Sequence, residues 1–250
     1  MSITGKDAKS PTRAGIPIGD LGSGLYSVVG ILSALYSREK TQKGQHIDLS
    51  LLDVQISLLT YMATMQTLSG IDPEPIGNAH FVHVPYNSFT TSDGFVVIAV
   101  ITDEFWQSLK SVVKVDSLDD SKFDSSIDRL KNQAFIENEL NKVLSTQTSD
   151  HWIDKLNKAK VPCAPINKFS DALNDEQVKH RNMIVEVEHP DGGFVKMPGN
   201  PVKMSYTNEE SYSSPPHLGT NTREILKNWS KYQDDEIESL ENEKIIQSID

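Results

Sequence analysis

Cysteine is almost missing from this chain: Cys163 stands alone in 250 residues. A single thiol excludes an internal disulfide, and a reducing compartment fits that composition. Basic residues are also in short supply. Lys and Arg number 24 against 35 Asp and Glu, for a formal net charge of -11. Such a field repels phosphate backbones and argues against nucleic acid as a partner. Long apolar runs are missing too. The longest, from Leu25 to Tyr36, is broken by Ser27, Gly30 and Ser33 and falls short of the roughly 20 residues a bilayer requires. The opening MSITGKDAKSPTRAG has no apolar signal core. No internal repeat or low-complexity tract occurs, which excludes a solenoid. A soluble, cytoplasmic protein without a membrane or nucleic-acid partner is the expectation.

What remains is an ordinary globular composition, 37% hydrophobic and 24% charged. It is enough for one large domain or two smaller ones. From Leu21 to about Lys40, apolar residues recur at steps of three and four: Leu25, Val28, Val29, Leu32, Leu35 and Tyr36. That period predicts a helix. Its scarcity of charge predicts burial on most sides, and Lys43-Gly44 reads as its stop. Gln45 to Leu51 alternates and predicts a strand. Ser50 and Asp53 form a start signal for a second helix reaching about Leu68.

Residues 69–83 contain prolines and glycines and read as a linker. Two short strands, 84–90 and 95–101, flank a turn at Asp93-Gly94. Helices are expected at about 103–113, 128–147, 150–159 and 170–179, with a short strand at 161–166. A second hairpin surrounds Asp191-Gly192-Gly193. Helices near 220–229 and 234–243 close the chain. Helix, strand and helix in succession suit an α/β layer.

One stretch carries chemistry: Gly15-Ile-Pro-Ile-Gly-Asp20-Leu-Gly-Ser-Gly24, at the start of the first apolar helix. By position Asp20 reads as that helix's N-cap. The positive end of the helix dipole favours a carboxylate there, and an ionised carboxylate is a nucleophile for an activated acyl group. Gly19, Gly22 and Gly24 would give a substrate close access to backbone, and nearby N–H groups could stabilise an oxyanion. The pattern lacks G-x-G-x-x-G and no strand precedes it, so it is no dinucleotide fingerprint. His80 and His83 read either as cleft residues or as loop histidines bonded to backbone. With no Cys or acid at ligand spacing they make no zinc site, and no metal is expected. Cys163, in an apolar VPCAPI run, reads as buried and inert.

Five blocks now become recognisable in order. They are IPIGDLGSGLYSVVGILSALYSREKTQKGQHIDLSLLDVQ, GNAHFVHVPYNSFTTSDGFVVIAV, VPCAPINKFSDAL, HPDGGFVKMPGNPVKMS and SPPHLGTNTREIL. Together they resemble the family III coenzyme A transferases, the CaiB/BaiF type. The likeness leans toward members that move CoA between dicarboxylates, of the succinyl-CoA:hydroxymethylglutarate kind. The resemblance implies an α/β fold with a Rossmann-like large domain, incomplete here, and a smaller α+β domain. Residues 1–68 would belong to the large domain, 69–83 to a linker and 84–190 to the small domain. Residues 191–250 would return to the large one. It also implies an interlocked homodimer at full length.

The family's catalytic aspartate falls on Asp20. The implied substrates are an acyl-CoA and a small carboxylic acid, with coenzyme A as co-substrate and no tightly held cofactor. The implied route runs through an aspartyl–acyl anhydride and an aspartyl-CoA thioester. The family's glycine-rich closing loop aligns with Val100 to Asp103, where this sequence has no glycine. Thr102 and Asp103 are the candidate pocket residues there. Acyl-CoA racemases of the same fold place an acid at the position of Thr102. A hydroxyl is a poor general acid–base near neutral pH, which favours transfer over racemisation. The first residues, MSITG, match a segment well inside a usual member. A fragment, one half of a split protein, or a non-catalytic remnant are therefore further expectations.

Overall fold

A computed structural model describes residues 1–207 and 211–248. The chain divides into two compact units, Met1–Ile166 and Asn167–Asp250. The architecture is mixed α/β, as expected.

The first unit opens with a coil and then α1, Ile18–Thr41. Pro17 precedes it with φ -73°, which suits the entry to a helix. Asp20 is therefore not the N-cap. Pro17 occupies that position and Asp20 lies in the first turn. The proline sets the start three residues earlier than the apolar period does. The stop also differs. Gln42 takes the left-handed conformation, φ 55°, and its N–H returns to the Arg38 carbonyl at 2.8 Å, two residues before Gly44.

Ser50 caps α2, Leu51–Leu58, by accepting from the Asp53 N–H at 3.1 Å. The expected second helix breaks at Thr60, φ 50°, and resumes as α3, Tyr61–Ser69. Residues 45–50 form no strand. Alternation prepares an edge, but a strand exists only where another backbone pairs with it, and none does among the described residues.

α1 rests on α2 through a seam of small residues. A Cβ on Gly19 would meet the Gln55 side chain at 3.2 Å, and one on Gly22 would meet Leu58 at 3.0 Å. Most of the large apolar side chains of α1 are uncovered, contrary to the expected burial. Leu25 is 71% exposed, Val29 62%, Leu32 60% and Tyr36 66%. Apolar period reports which residues prefer cover, not whether a neighbour supplies it. Ser27, Gly30 and Ser33 do not interrupt the helix. Its 24 residues are long and apolar enough to cross a membrane by length and composition alone.

Residues 84–161 build a closed core. β1, Tyr86–Thr90, pairs antiparallel with β2, Phe95–Ala99, and β2 pairs with β3, Cys163–Pro165. α4, Asp103–Val113, α6, Gln133–Leu144, and α7, Ser149–Lys158, cover this sheet. Between α4 and α6 lies the short α5, Ser126–Lys131, so the helix expected at 128–147 is broken at Asn132. Phe89, Val96, Ile98, Trp106, Leu140 and Leu156 are buried. The Trp152 indole N–H donates to the Leu144 carbonyl at 2.8 Å, which makes its burial tolerable.

In the second unit, α8, Phe169–Asn174, and α9, Glu176–His180, precede an antiparallel hairpin. This pairs β4, Ile184–Glu188, with β5, Phe194–Pro198, and Gly192 and Gly193 turn it with positive φ. α10, Thr222–Asn228, and α11, Asp234–Asn242, follow.

Candidate active site

The first turn of α1 presents Asp20 to solvent. Among the described residues no hydrogen bond or ion pair engages its carboxylate. The Ile18 N–H reaches back to Ile16, and the first intrahelical bond closes from Leu21 to Pro17 at 3.0 Å. The N–H groups of Gly19 and Asp20 thus sit at the helix mouth, where intrahelical acceptors run out. A free carboxylate stands beside donors that favour negative charge. Such a group can attack an electrophilic carbonyl, and the N–H groups can receive the oxyanion that results.

The three glycines divide by what faces them. Gly19 and Gly22 face Gln55, Val54 and Leu58, so their smallness serves close helix packing. Nothing lies within 4 Å of where a Gly24 Cβ would project. Only Gly24 leaves open space for a ligand.

His80 belongs to the irregular segment before β1. Its Nδ1 accepts from the Val82 N–H at 3.0 Å and the His83 N–H at 3.1 Å. The ring stacks on Phe81, centroids 4.6 Å apart, and on Tyr86 at 5.2 Å. Partial burial, then the neighbouring His83, pushes its pKa below the ordinary 6.5. The backbone-bonded reading of this histidine is what the geometry displays. Two acceptor contacts at Nδ1 leave the proton of the neutral ring on Nε2.

Thr102 and Asp103 meet at the start of α4. The Thr102 hydroxyl accepts from the Phe105 N–H at 3.3 Å and caps the helix. Asp103 accepts from Arg129 at 2.7 Å. Neither makes a bond to His80 or to Asp20 among the described residues. Burial raises the thiol pKa of Cys163, and a high pKa suits an unreactive thiol.

Arg129 escaped the sequence reading. It lies on α5 and is buried. Its Nε donates to the Val84 carbonyl at 3.0 Å, and one terminal nitrogen donates to Phe123 and Asp124 carbonyls at 3.0 and 2.8 Å. The other holds Asp103, and the guanidinium lies 5.5 Å from the Trp106 ring centre. One side chain thereby ties the entry to β1 to the first turn of α4. Its sequence context, SIDRLK, looks like a solvated helix, and nothing local distinguishes it. An apolar cavity of about 570 Å³ lies elsewhere, lined by Ile3, Met62, Met65, Ile71 and Phe81. None of the candidate site residues lines it. Volume and chemistry do not coincide, and the placement of Asp20 carries more weight because it supplies a reactive group.

Comparison with known proteins gives this geometry a family. CoA-transferase family III matches residues 1–222. The chain belongs to that family. Succinyl-CoA:glutarate CoA-transferase of Mus musculus is 32% identical over 245 residues, covering 96% of this chain and 55% of that protein. Acetyl-CoA:oxalate CoA-transferase of Acetobacter aceti is 37% identical over 207 residues, covering 82% and 52%. The crystal structure of a CaiB/BaiF family protein from Brucella suis superposes with a TM-score of 0.74 at 32% identity. That match covers 86% of this chain and 56% of the other. The chain spans about half the length of the curated relatives it matches.

Proposed function

We propose that this chain carries the nucleophile of a CoA-transferase that moves coenzyme A between an acyl-CoA and a carboxylic acid. One observation carries the reading. Asp20 is an exposed carboxylate at a helix mouth, unengaged among the described residues, within the stretch matched by family III. Relatives act on succinyl-CoA with glutarate or mesaconate, and on acetyl-CoA with oxalate, by their names. Dicarboxylates are accordingly the proposed substrate class here.

The steps balance without ATP. An Asp20 oxygen attacks the thioester carbonyl, forming an anhydride and expelling the CoA thiolate. The thiolate attacks the Asp20 carbonyl, forming an aspartyl thioester and releasing the donor acid. The acceptor carboxylate attacks that thioester and expels CoA again, leaving an aspartyl–acceptor anhydride. The thiolate then attacks the acceptor carbonyl and frees Asp20. Each intermediate preserves the activation of the one before, which is the gain of covalent catalysis. Coenzyme A is thus a co-substrate, with no other cofactor or metal required. On the same reading the working enzyme is a cytoplasmic homodimer with no membrane or nucleic-acid partner.

Thr102 speaks against the racemase alternative. Its hydroxyl is occupied as a helix cap, and a threonine does not exchange an α-proton readily. To test the proposal, the assembled enzyme is incubated with succinyl-CoA and hydroxylamine, and peptides are mapped by mass. The Asp20 peptide should appear as its hydroxamate. Asp20→Asn should lower transfer by on the order of 10³-fold or more. Full transfer with an unmodified Asp20 peptide would refute the assignment. Deuterium entering the α-carbon of a 2-methylacyl-CoA would favour racemisation instead.

A further inference from the structure

Two Asp-Gly pairs occur in the chain, Asp93-Gly94 and Asp191-Gly192, each in the turn of a hairpin. An aspartate followed by glycine can close on its own backbone, because no Cβ on the glycine hinders the approach of its nitrogen. The two pairs share this chemistry and differ in what holds them.

Asp93 is pinned. Its Oδ1 accepts from the Ser149 N–H at 2.8 Å, the Ser149 hydroxyl at 3.1 Å and the Thr91 hydroxyl at 3.0 Å. The Ser149 N–H is the main cause that pulls its pKa below the ordinary carboxylate range, so the group stays ionised. An ionised, immobile carboxylate is a poor electrophile. A Cβ on Gly94 would also meet the Ser149 hydroxyl at 3.7 Å, so that side chain stands over the pair.

Asp191 is loose by comparison. Its side chain is 71% exposed, and its carboxylate accepts no backbone N–H among the described residues. Its neighbours are two histidine rings that are themselves exposed, with His217 Nε2 at 3.3 Å and His189 Nδ1 at 3.7 Å. Gly192 has φ +94°, and nothing lies within 4 Å of where a Cβ would project. The Gly192 N–H donates to the His189 carbonyl at 2.9 Å, and this bond has to open before the nitrogen can turn. It is one neutral bond, weaker than the charge-assisted set on Asp93.

We propose that Asp191-Gly192 is a site of spontaneous isomerisation to isoaspartate in the folded chain, and that Asp93-Gly94 is protected. The Gly192 nitrogen attacks the protonated side-chain carboxyl carbon of Asp191. A carbon–nitrogen bond forms, the carbon–hydroxyl bond breaks, and the hydroxyl leaves with the amide hydrogen as water. The product is a succinimide ring. Water then opens the ring at the main-chain carbonyl, and the backbone thereafter runs through the former side chain. No oxidant or co-reactant enters, and the composition of the chain is unchanged at the end. The extra methylene lies in the turn that fixes the pairing of Glu188 with Phe194, so the mark distorts the β4–β5 hairpin and leaves the first unit intact. The inference stands whether or not Asp20 is the nucleophile.

For the test, the folded chain is aged in warm neutral buffer. Isoaspartate is labelled with a protein isoaspartyl methyltransferase and radioactive S-adenosylmethionine. Electron-transfer fragmentation of the peptides then places it. Label should accumulate on the Asp191-Gly192 peptide, with the Asp93-Gly94 peptide slower by about tenfold or more, the factor its charge-assisted bonds supply. Asp191→Glu keeps the charge but closes a ring far less readily, and should abolish label on that peptide. Ageing in guanidinium chloride should bring the two peptides close together, since the protection of Asp93 is structural. Three results would overturn the proposal: no label at position 191, equal label on both peptides of the folded chain, or the same contrast in the denatured chain.

Discussion

Residues 84–161 and residues 18–69 use similar amino acids to opposite ends. In the first region Trp106, Leu109, Ile136, Leu140 and Leu144 lie fully inside, and sheet and helices cover one another. In the second, α1 is rich in aliphatic groups, yet only Gly22 and Ser23 of its 24 residues are buried. The difference lies in partners rather than in composition. A hydrophobic residue stabilises a fold in proportion to the area that something else removes from water. The first region contains its own cover. The second has cover along a single seam, and its stability is borrowed from whatever meets the other side.

The contrast can be broken at its strongest point first. Arg129→Met removes the donor that satisfies the Val84, Phe123 and Asp124 carbonyls. Unpaired buried carbonyls cost about 1–3 kcal/mol each, so a loss on the order of 3–5 kcal/mol is expected in urea unfolding. Retained stability would mean that β1 and α4 hold together without that tie.

A matched pair sharpens the comparison. Leu140→Ala should cost about 2–5 kcal/mol, because its side chain lies wholly inside a packed core. Leu32→Ala in the isolated chain should change stability by about 0.5 kcal/mol or less, since its side chain is largely in water. Equal effects at the two sites would erase the distinction between the regions.

The smallest effect is a drift with pH. His80 titrates below 6.5 in the folded chain, so between its folded value and 6.5 the unfolded chain binds more protons. Its contribution is complete above pH 6.5 and is lost as acid lowers the pH through the folded value. His80→Gln should flatten that part of a melting-temperature profile. An unchanged profile would mean that partial burial and the neighbouring His83 do not hold the ring neutral.

Much of this was legible in the residues. The helix expected at 103–113 matches α4, and both hairpins follow from alternation around Asp-Gly turns. Asp20 was legible as a candidate because its family motif surrounds it. Other features depend on three-dimensional neighbours that local pattern does not encode. Alternation in 45–50 could not reveal that no strand would pair with it. The apolar period of α1 could not reveal its bare flank. The breaks at Thr60 and Asn132 carry no glycine or proline to announce them. Arg129 draws its importance from four partners spread between residues 84 and 124, so no window around it contains the signal.

The seam beneath α1 also determines aim. Successive side chains step about 100° around a helix axis, so a modest roll swings a carboxylate through several ångströms of arc. Gly19 and Gly22, seated on Gln55 and Leu58, act as the bearing that stops α1 from rolling. On the proposed reading of Asp20 as nucleophile, bulkier or slighter side chains at positions 55 and 58 would steer its oxygen toward differently shaped acyl groups while every atom of the helix itself stayed the same.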